Sequence, residues 1–486
     1  MSLGLRAVRG ALWSTLASIG SRLVGIVGTF VLTRFLAPEV QGEVNVAYIV
    51  VATAHFFSSL GMGQWVVANP KADRSATFHA SAIYMSAGAV AFALTWLFAK
   101  PLASLLNAEA MAQYVPGFVL AHALERVAQL PRNILARELH FRLLGLRMAL
   151  GEVAYAGASV LFAWWGWGGH AIIAGNVVRA LLGVIILCSV VDWRDYALPC
   201  RLDRAILRRL LAYGSPMSVA VLFHMGAQTW DNLFIAYRFG EAQTGLYNQA
   251  YKLADLPATH IGEQFGDVLV PTFAHLEDDA ARKAALTRAA GLLGLVVFPL
   301  AIGLGAVAYT LVEAFYPPSY QEVAPFLAVL AVLSVFRPVG VLVMGWLQVV
   351  GRTRDYMNLD IFKVVMILGS MALLAPLGPV WSCAGVGIGF ALNSLQMVWT
   401  LRKDGIAPLS VLRPLAPPLL ACLPMAAAVL ATRAGLLDSG VPVMLRLLLE
   451  LVVGAVSYVP SALLIARASS SDFLNLVKNA LSRRRG

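Results

Sequence analysis

The residues of this 486-residue chain best suited to chemistry are ionisable side chains that interrupt long apolar stretches. A charge in hydrocarbon is costly unless it is paired or faces water, so each one is a functional candidate. Arginine keeps its charge on burial and presents a rigid fork of donors that matches phosphate oxygens. Four arginines without an obvious partner on their own helix therefore predict an anion site, namely Arg22, Arg126, Arg179 and Arg337. The alternative is that each one binds a helix-end carbonyl or extends its charge to the surface.

Other charges in the apolar stretches predict ion pairs or ion binding. Two opposite-charge pairs stand three residues apart and so share a helical face, namely Lys252 with Asp255 and Asp360 with Lys363. We expect them to line a cavity as neutralising pairs, with a direct ligand role as the alternative. Glu125 and Asp231, one in each half of the chain, are the acids we expect to bind a proton or sodium ion. Asp231 could equally be a structural hydrogen-bond acceptor.

The composition says which elements must position these residues. Apolar residues make up 59% of the chain and charged residues 13%, with a mean hydropathy of +0.74. Because soluble domains carry about 25% charged residues, an ordinary water-soluble enzyme is excluded. The apolar stretches run for about 20 residues, the length of a bilayer-spanning helix. We therefore predict an all-α polytopic membrane protein. The net charge of +11 comes from bases in short loops, which does not indicate nucleic-acid binding.

The hydropathy pattern predicts fourteen spanning helices. Their expected ranges are 11–36, 44–68, 78–99, 112–135, 145–166, 170–191, 210–237, 245–271, 291–315, 323–350, 357–377, 379–401, 411–432 and 441–466. Alternating the loops places 26 of the 37 basic residues on one side and five on the other. Because basic loops stay in the cytoplasm, we expect both termini to be cytoplasmic.

A repeated corner divides the predicted helices into two lobes. Four residues recur after 203 positions, with Gly42, Asn45, Ala47 and Tyr48 matching Gly245, Asn248, Ala250 and Tyr251. An even number of helices separates the copies, so the repeat is parallel. We predict a six-helix lobe over 1–191, a cytoplasmic linker over 192–209, a second six-helix lobe over 210–401, and two extra helices with a basic tail over 402–486. Sites in such folds lie between the lobes, where Arg126 and Arg337 would face each other.

Five segments around the second copy resemble a known family. They are Tyr213-Gly-Ser-Pro216, Asp231-Asn-Leu-Phe-Ile, Arg238-Phe-Gly240, Gly245-Leu-Tyr247 and Ala250-Tyr-Lys-Leu. They look like the second-lobe entry of the Wzx-type oligosaccharide flippases of the multidrug/oligosaccharidyl-lipid/polysaccharide exporter superfamily. The resemblance implies a monomeric flippase of the bacterial inner membrane. Its substrate would be a polyprenyl-diphosphate-linked oligosaccharide, with the diphosphate on Arg22, Arg126, Arg337 and Arg179. It would need no cofactor beyond a coupling H⁺ or Na⁺, and polysaccharide assembly enzymes could be its partners.

Three other functions stay open at this point. A cation-coupled multidrug exporter is disfavoured because helix 1 has no acid between Ala11 and Pro38 and carries Arg22 instead. A lipid II flippase would share the fourteen helices. A membrane glycan polymerase or ligase is disfavoured by short outer loops without an acid/base constellation, so we expect no enzyme activity. The four cysteines form no CxxC motif, and no metal site is expected. The glycines at 385, 387 and 389 predict close helix packing rather than a nucleotide loop.

Overall fold

A computed structural model describes residue 20 and residues 24–69, 73–138, 140–192, 194, 196–276 and 278–482. All regular structure within these ranges is helical. The chain forms two compact units, Met1–Gly245 and Leu246–Gly486. The helix expected over 210–237 is therefore grouped with the first unit, whereas the sequence assigned it to the second lobe. The expected lobe limits remain a prediction.

The first unit is built from eight helices and the beginning of a ninth. They are α1 (24–32), α2 (Pro38–Phe57), α3 (Met62–Ala68), α4 (Arg74–Leu97), α5 (Ala99–Leu105), α6 (Val115–Arg137), α7 (Phe141–Trp164), α8 (His170–Cys188) and the first part of α9 (Arg204–His275). Its apolar core lies among α2, α4, α6 and α8, with Phe118 and Met111 fully buried.

The second unit contains the rest of α9 and nine further helices. They are α10 (Asp279–Phe315), α11 (Val323–Leu333), α12 (Arg337–Val349), α13 (Thr353–Leu374), α14 (Pro379–Thr400), α15 (Pro408–Leu412), α16 (Ala416–Leu436), α17 (Val443–Ile465) and α18 (Arg467–Ser482). Its largest core surrounds Trp346 and Phe273. Residues 279–290, which lie between the predicted spans 245–271 and 291–315, are the first turns of the 37-residue α10.

The helices confirm an all-α multi-pass membrane protein. Ten of the described helices are long and apolar enough to span a bilayer, or up to eleven when α2 and α3 are taken as one bent span. Helix α6 is absent from the ten, because Glu125, Arg126, Arg132 and Arg137 lower its hydropathy. The expected total of fourteen is therefore a prediction that these helices do not establish.

One described span is broken by a sharp bend, and two other helical segments contain a local irregularity. Helices α2 and α3 meet at an angle of 48°, and the break passes through Leu60 and Gly61, whose φ values are 49° and 60°. A 3₁₀ turn at Ser334–Phe336 separates α11 from α12, and α9 is interrupted at Gly240, where φ is 84°. Each break frees backbone groups that hydrocarbon cannot satisfy, so side chains must bind them.

Glycines allow two helix crossings in which backbones touch. A β-carbon on Gly42 would overlap the carbonyl oxygen of Glu241, and one on Gly245 would overlap that of Pro38. The two glycines matched by the sequence repeat therefore pack against each other. In the second unit, a β-carbon on Gly385 would lie 2.6 Å from the Met371 nitrogen. The close packing expected from the glycines of α14 is thus confirmed.

We predict that Gly42→Ala destabilises the protein, because the added methyl group collides with rigid backbone. Overpacking of this kind costs roughly 1–3 kcal/mol. The matched control is Gly157→Ala in α7, where a β-carbon would have no neighbour within 4 Å. Thermal unfolding of the detergent-solubilised proteins should show a lower Tm for Gly42→Ala and an unchanged or higher Tm for Gly157→Ala. Equal melting of both variants would contradict the crossing.

Candidate functional site: charged residues within each unit

Arg126 lies at the break between α2 and α3 and is only 1% exposed. Its Nη2 donates to the Ser58 carbonyl at 2.7 Å, and its Nη1 to the Ser58 Oγ at 3.0 Å and the His55 carbonyl at 3.3 Å. Its Nε donates to the Tyr84 carbonyl at 2.9 Å. The His55 and Ser58 carbonyls lie near the negative end of the α2 dipole, where a cation is favourable. These contacts are those of the helix-end alternative, and a diphosphate contact of Arg126 stays a prediction.

Neighbouring residues are shaped to hold this guanidinium. It stacks over the Tyr84 ring, with 4.0 Å from Cζ to the ring centroid. A β-carbon on Gly88 would collide with the Arg126 side chain, so glycine is needed there. The imidazoles of His55 and His122 lie beside it, with their ring centroids 5.4 Å apart. Helices α2 and α6 bring these two histidines together although they are far apart in the sequence.

Arg179 occupies a more open position in the first unit. Its Nη2 donates to Asn176 Oδ1 at 2.7 Å, and its Nη1 lies 3.8 Å from Glu152 Oε2. The side chain is 32% exposed and its Cζ lies 5.2 Å from the Tyr155 ring centroid. A partly exposed guanidinium with a weak ion pair retains capacity for a ligand. Arg22, the remaining arginine expected to bind an anion in this half, lies outside the described residues.

The two acids expected to bind an ion lie in different surroundings of the first unit. Asp231 is buried, and its Oδ1 accepts from the Asn232 backbone at 2.9 Å and from the Asn232 side chain at 3.0 Å. Asn232 Oδ1 in turn accepts from Asn45 of α2 at 3.0 Å. Asp231 thus belongs to a buried polar network, which suits its structural role without testing ion binding. Glu125 is half-buried on α6, three residues after His122.

Arg337 begins α12 in the second unit and forms an ion pair with Asp255 of α9. The sequence predicts a pair of Asp255 with Lys252, which is exposed, and that pair stays a prediction. The Arg337 guanidinium also packs against aromatic rings, 4.5 Å from the Phe390 centroid and 5.1 Å from that of Tyr251. Its side chain is 14% exposed, and its buried Nε has no hydrogen-bond partner.

Asp360 and Lys363 form the pair that their spacing predicts, with 2.8 Å between Lys363 Nζ and Asp360 Oδ1. Their position along a cavity stays a prediction. No group of acids, histidines and cysteines among the described residues could hold a metal ion.

Sequence reasoning missed a second charged cluster, formed by Glu313 of α10 with Arg446 and Glu450 of α17. Arg446 contacts Glu313, and Glu450 is completely buried. Arg446 and Glu450 lie in the predicted helix 441–466, outside the two predicted lobes in which the site was expected. The signal was available, since Arg446 and Glu450 are four residues apart inside one apolar stretch.

We predict that Arg126→Met destabilises the fold and does not act only by removing a ligand contact. The substitution leaves buried carbonyls unsatisfied at about 1–3 kcal/mol each. Arg132→Met on the exposed side of the same helix is the control. The yield of protein in size-exclusion chromatography and the Tm should both fall for Arg126→Met and stay unchanged for Arg132→Met. An Arg126→Met protein that melts like wild type but transports nothing would indicate direct ligand contact instead.

Comparison with known proteins places the chain in a family. Residues 31–325 match the family described as polysaccharide biosynthesis protein. The chain is 22% identical over 403 residues to the lipopolysaccharide biosynthesis protein WzxC of Escherichia coli, covering 82% of this chain and 80% of WzxC. It is 25% identical over 323 residues to the succinoglycan biosynthesis transport protein ExoT of Rhizobium meliloti, covering 66% and 64%.

The fold is similar to a solved structure of the lipid II flippase MurJ in an inward closed conformation. The TM-score is 0.76 at 11% identity, covering 94% of this chain and 99% of MurJ. At that identity the likeness concerns the fold. The family match spans more than half of the chain. The chain therefore belongs to the polysaccharide biosynthesis protein family, as its resemblance to Wzx-type transporters predicts.

Proposed function

We propose that the protein moves polyprenyl-diphosphate-linked oligosaccharides across the bacterial inner membrane by alternating access, for exopolysaccharide, capsule or O-antigen assembly. Its similarity to the lipopolysaccharide biosynthesis protein WzxC and the succinoglycan biosynthesis transport protein ExoT supports polysaccharide biosynthesis and transport as its context. The observation that carries the proposal is the Arg337 site, a partly open guanidinium held on aromatic rings within a membrane-spanning helix.

Arg337 is suited to bind a phosphate because its present partner is exchangeable. Asp255 neutralises the guanidinium, and the rings of Phe390 and Tyr251 fix its plane. A phosphate could replace the carboxylate and keep the guanidinium paired, since arginine binds both groups through the same fork. Arg179 offers a second, more exposed contact in the first unit. Arg22 keeps its proposed contact from sequence alone.

The driving ion and the partners are also proposals. A proton or sodium ion would couple to transport through Asp231 or Glu125, the pairs at Lys252, Asp255, Asp360 and Lys363 would line the cavity, and no other cofactor would be needed. We propose a monomer with both termini in the cytoplasm, surrounded by membrane lipids and served by polysaccharide assembly enzymes. Its role is transport rather than catalysis, because the short outer loops of the sequence supply no acid/base constellation.

A lipid II flippase is the second candidate, and the fold similarity to MurJ favours it. The family match and the named relatives favour an oligosaccharide carrier instead. A cation-coupled multidrug exporter is third, since arginines stand at the break after α2 and at the start of α12.

Deletion of the gene tests the function directly. We predict that a complete, unpolymerised repeat unit accumulates on its polyprenyl carrier at the cytoplasmic face. The measurement is extraction of lipid-linked glycans from inside-out and right-side-out vesicles. Repeat units stranded on the outer face would point to a polymerase, accumulated lipid II to the second candidate, and unchanged glycans with new drug sensitivity to the third.

The Arg337 site has its own prediction, measured as uptake of a polyprenyl-diphosphate oligosaccharide into proteoliposomes. Arg337→Gln should lower uptake by about tenfold to a hundredfold, the loss expected for a charge-assisted hydrogen bond of about 1.5–3 kcal/mol. Asp255→Asn should keep most uptake, because it removes the competitor and leaves the guanidinium. If both variants lose uptake equally, with lower Tm, the pair is structural and the phosphate contact is refuted.

A further inference from the structure

A buried charged cluster joins α10, α16 and α17 in the second unit, separate from the Arg337 site. Glu450 of α17 is 0% exposed, and Arg446 one turn earlier is 5% exposed. Residues four apart on a helix share a face, so Arg446 and Glu450 point to the same side. Glu313 of α10 lies on that side and is 47% exposed. The cluster thus leads from a partly exposed acid to a fully buried one.

The hydrogen bonds of the cluster leave two complementary atoms unused. Thr310 Oγ1 of α10 donates to Glu450 Oε1 at 2.8 Å. The other carboxyl oxygen of Glu450, Oε2, is buried without a hydrogen-bond partner. Arg446 donates from Nη2 to Glu313 Oε2, and its buried Nε has no partner. On the same helix face, an arginine donor and a carboxyl acceptor therefore both lack a hydrogen-bond partner.

The charged and aromatic groups around Glu450 do not bind this oxygen directly. These groups are Glu313 and Tyr309 on α10, Arg433 on α16 and Arg446 on α17. The Arg433 guanidinium lies over the Tyr309 ring, 4.5 Å from its centroid, while Arg446 is engaged by Glu313. An ionised carboxylate with a bare, buried oxygen is strongly disfavoured, whereas a neutral carboxylic acid is tolerated. The observed contacts fit the acid form, in which the proton would be on Oε2 and Thr310 would donate to the carbonyl oxygen Oε1.

We propose that Glu450 is a reversible proton-binding site and that Arg446 exchanges partners with its protonation. With the proton bound, Arg446 pairs with Glu313 of α10, as observed. When the carboxylic acid releases its proton, the carboxylate is left with a negative charge on Oε2. Arg446 Nε then donates to Oε2 and the Glu313 contact weakens. The half-exposed Glu313 carboxylate offers the route by which the proton reaches water.

The exchange links a proton to the attachment of α17. In the protonated form an ion pair connects α17 to α10, and in the ionised form that pair lies within α17 itself. The Thr310 bond persists in both forms, because Oε1 is an acceptor in each. This inference gives the two C-terminal spans a role beyond the proposed flipping of glycolipids, and it is independent of the substrate.

Infrared difference spectroscopy between acid and alkaline pH tests the site in the purified full-length protein in nanodiscs. A carboxylic acid shielded from water absorbs at a higher C=O frequency than a hydrated one. We expect this high-frequency band in wild type, its loss in Glu450→Gln, and its retention in Asp438→Asn, an exposed acid in the 437–442 loop. Thr310→Val should shift the band to still higher frequency, because the hydrogen bond to Oε1 is lost.

The outcomes separate cleanly, and none of them requires transport. Persistence of the band in Glu450→Gln, or its loss in Asp438→Asn, would overturn the proposal. Glu450→Gln keeps the side-chain size and the Thr310 bond, so we expect it to fold. Should it fail to fold, Thr310→Val decides alone, since an unshifted band would assign the proton elsewhere. Failure of the flippase assay would leave these spectra unchanged, so the two proposals fail separately.

Discussion

The binding of Arg126 to the carbonyl groups of α2 is the interaction on which the arrangement of the first unit depends. Hydrocarbon offers no hydrogen-bond partner, so a helix can break inside a membrane only where the protein supplies one. The break at Leu60 and Gly61 is tolerated because the guanidinium reaches it from α6. Arg126 can extend this far because Gly88 of α4 has no side chain that would collide with it and because the Tyr84 ring packs beside it. One long side chain thus ties three helices to a single bend.

Arginines in the two units satisfy the same constraint in different ways. Arg126 is bound by carbonyl oxygens, which cannot gain or lose a proton, so its contacts are permanent. Arg337 and Arg446 are bound by carboxylates, which another anion can replace or a proton can neutralise. Each of these two arginines also has a buried Nε without a hydrogen bond. The Arg337 and Arg446 pairs are therefore contacts that can change, as is the weak Arg179–Glu152 pair of the first unit, and contacts of this kind suit binding and conformational change.

Hydropathy and loop charge predict the all-α membrane fold, because transfer to hydrocarbon depends on composition and needs no knowledge of contacts. Short-range spacing likewise predicts the Asp360–Lys363 pair, which one helix forms by itself. It does not predict the ion pair of Asp255 with Arg337, which lies more than eighty residues away on another helix. It also fails for the bend after α2. Glycines occur at many positions in this chain, so their presence does not predict where a helix bends. The Arg126 contact shows that the glycine after α2 stands at such a bend.

The repeated corner has a physical reason to contain glycine twice. Gly42 faces the carbonyl of Glu241, four residues before Gly245, while Gly245 faces the carbonyl of Pro38, four residues before Gly42. The contact is reciprocal, so a side chain on either residue would push the same two segments apart. Asn45, also matched in the repeat, binds Asn232 and through it the buried Asp231. The sequence match at this corner therefore follows from helices that touch at their backbones, and the acid carrying the family resemblance lies in the polar network beside that contact.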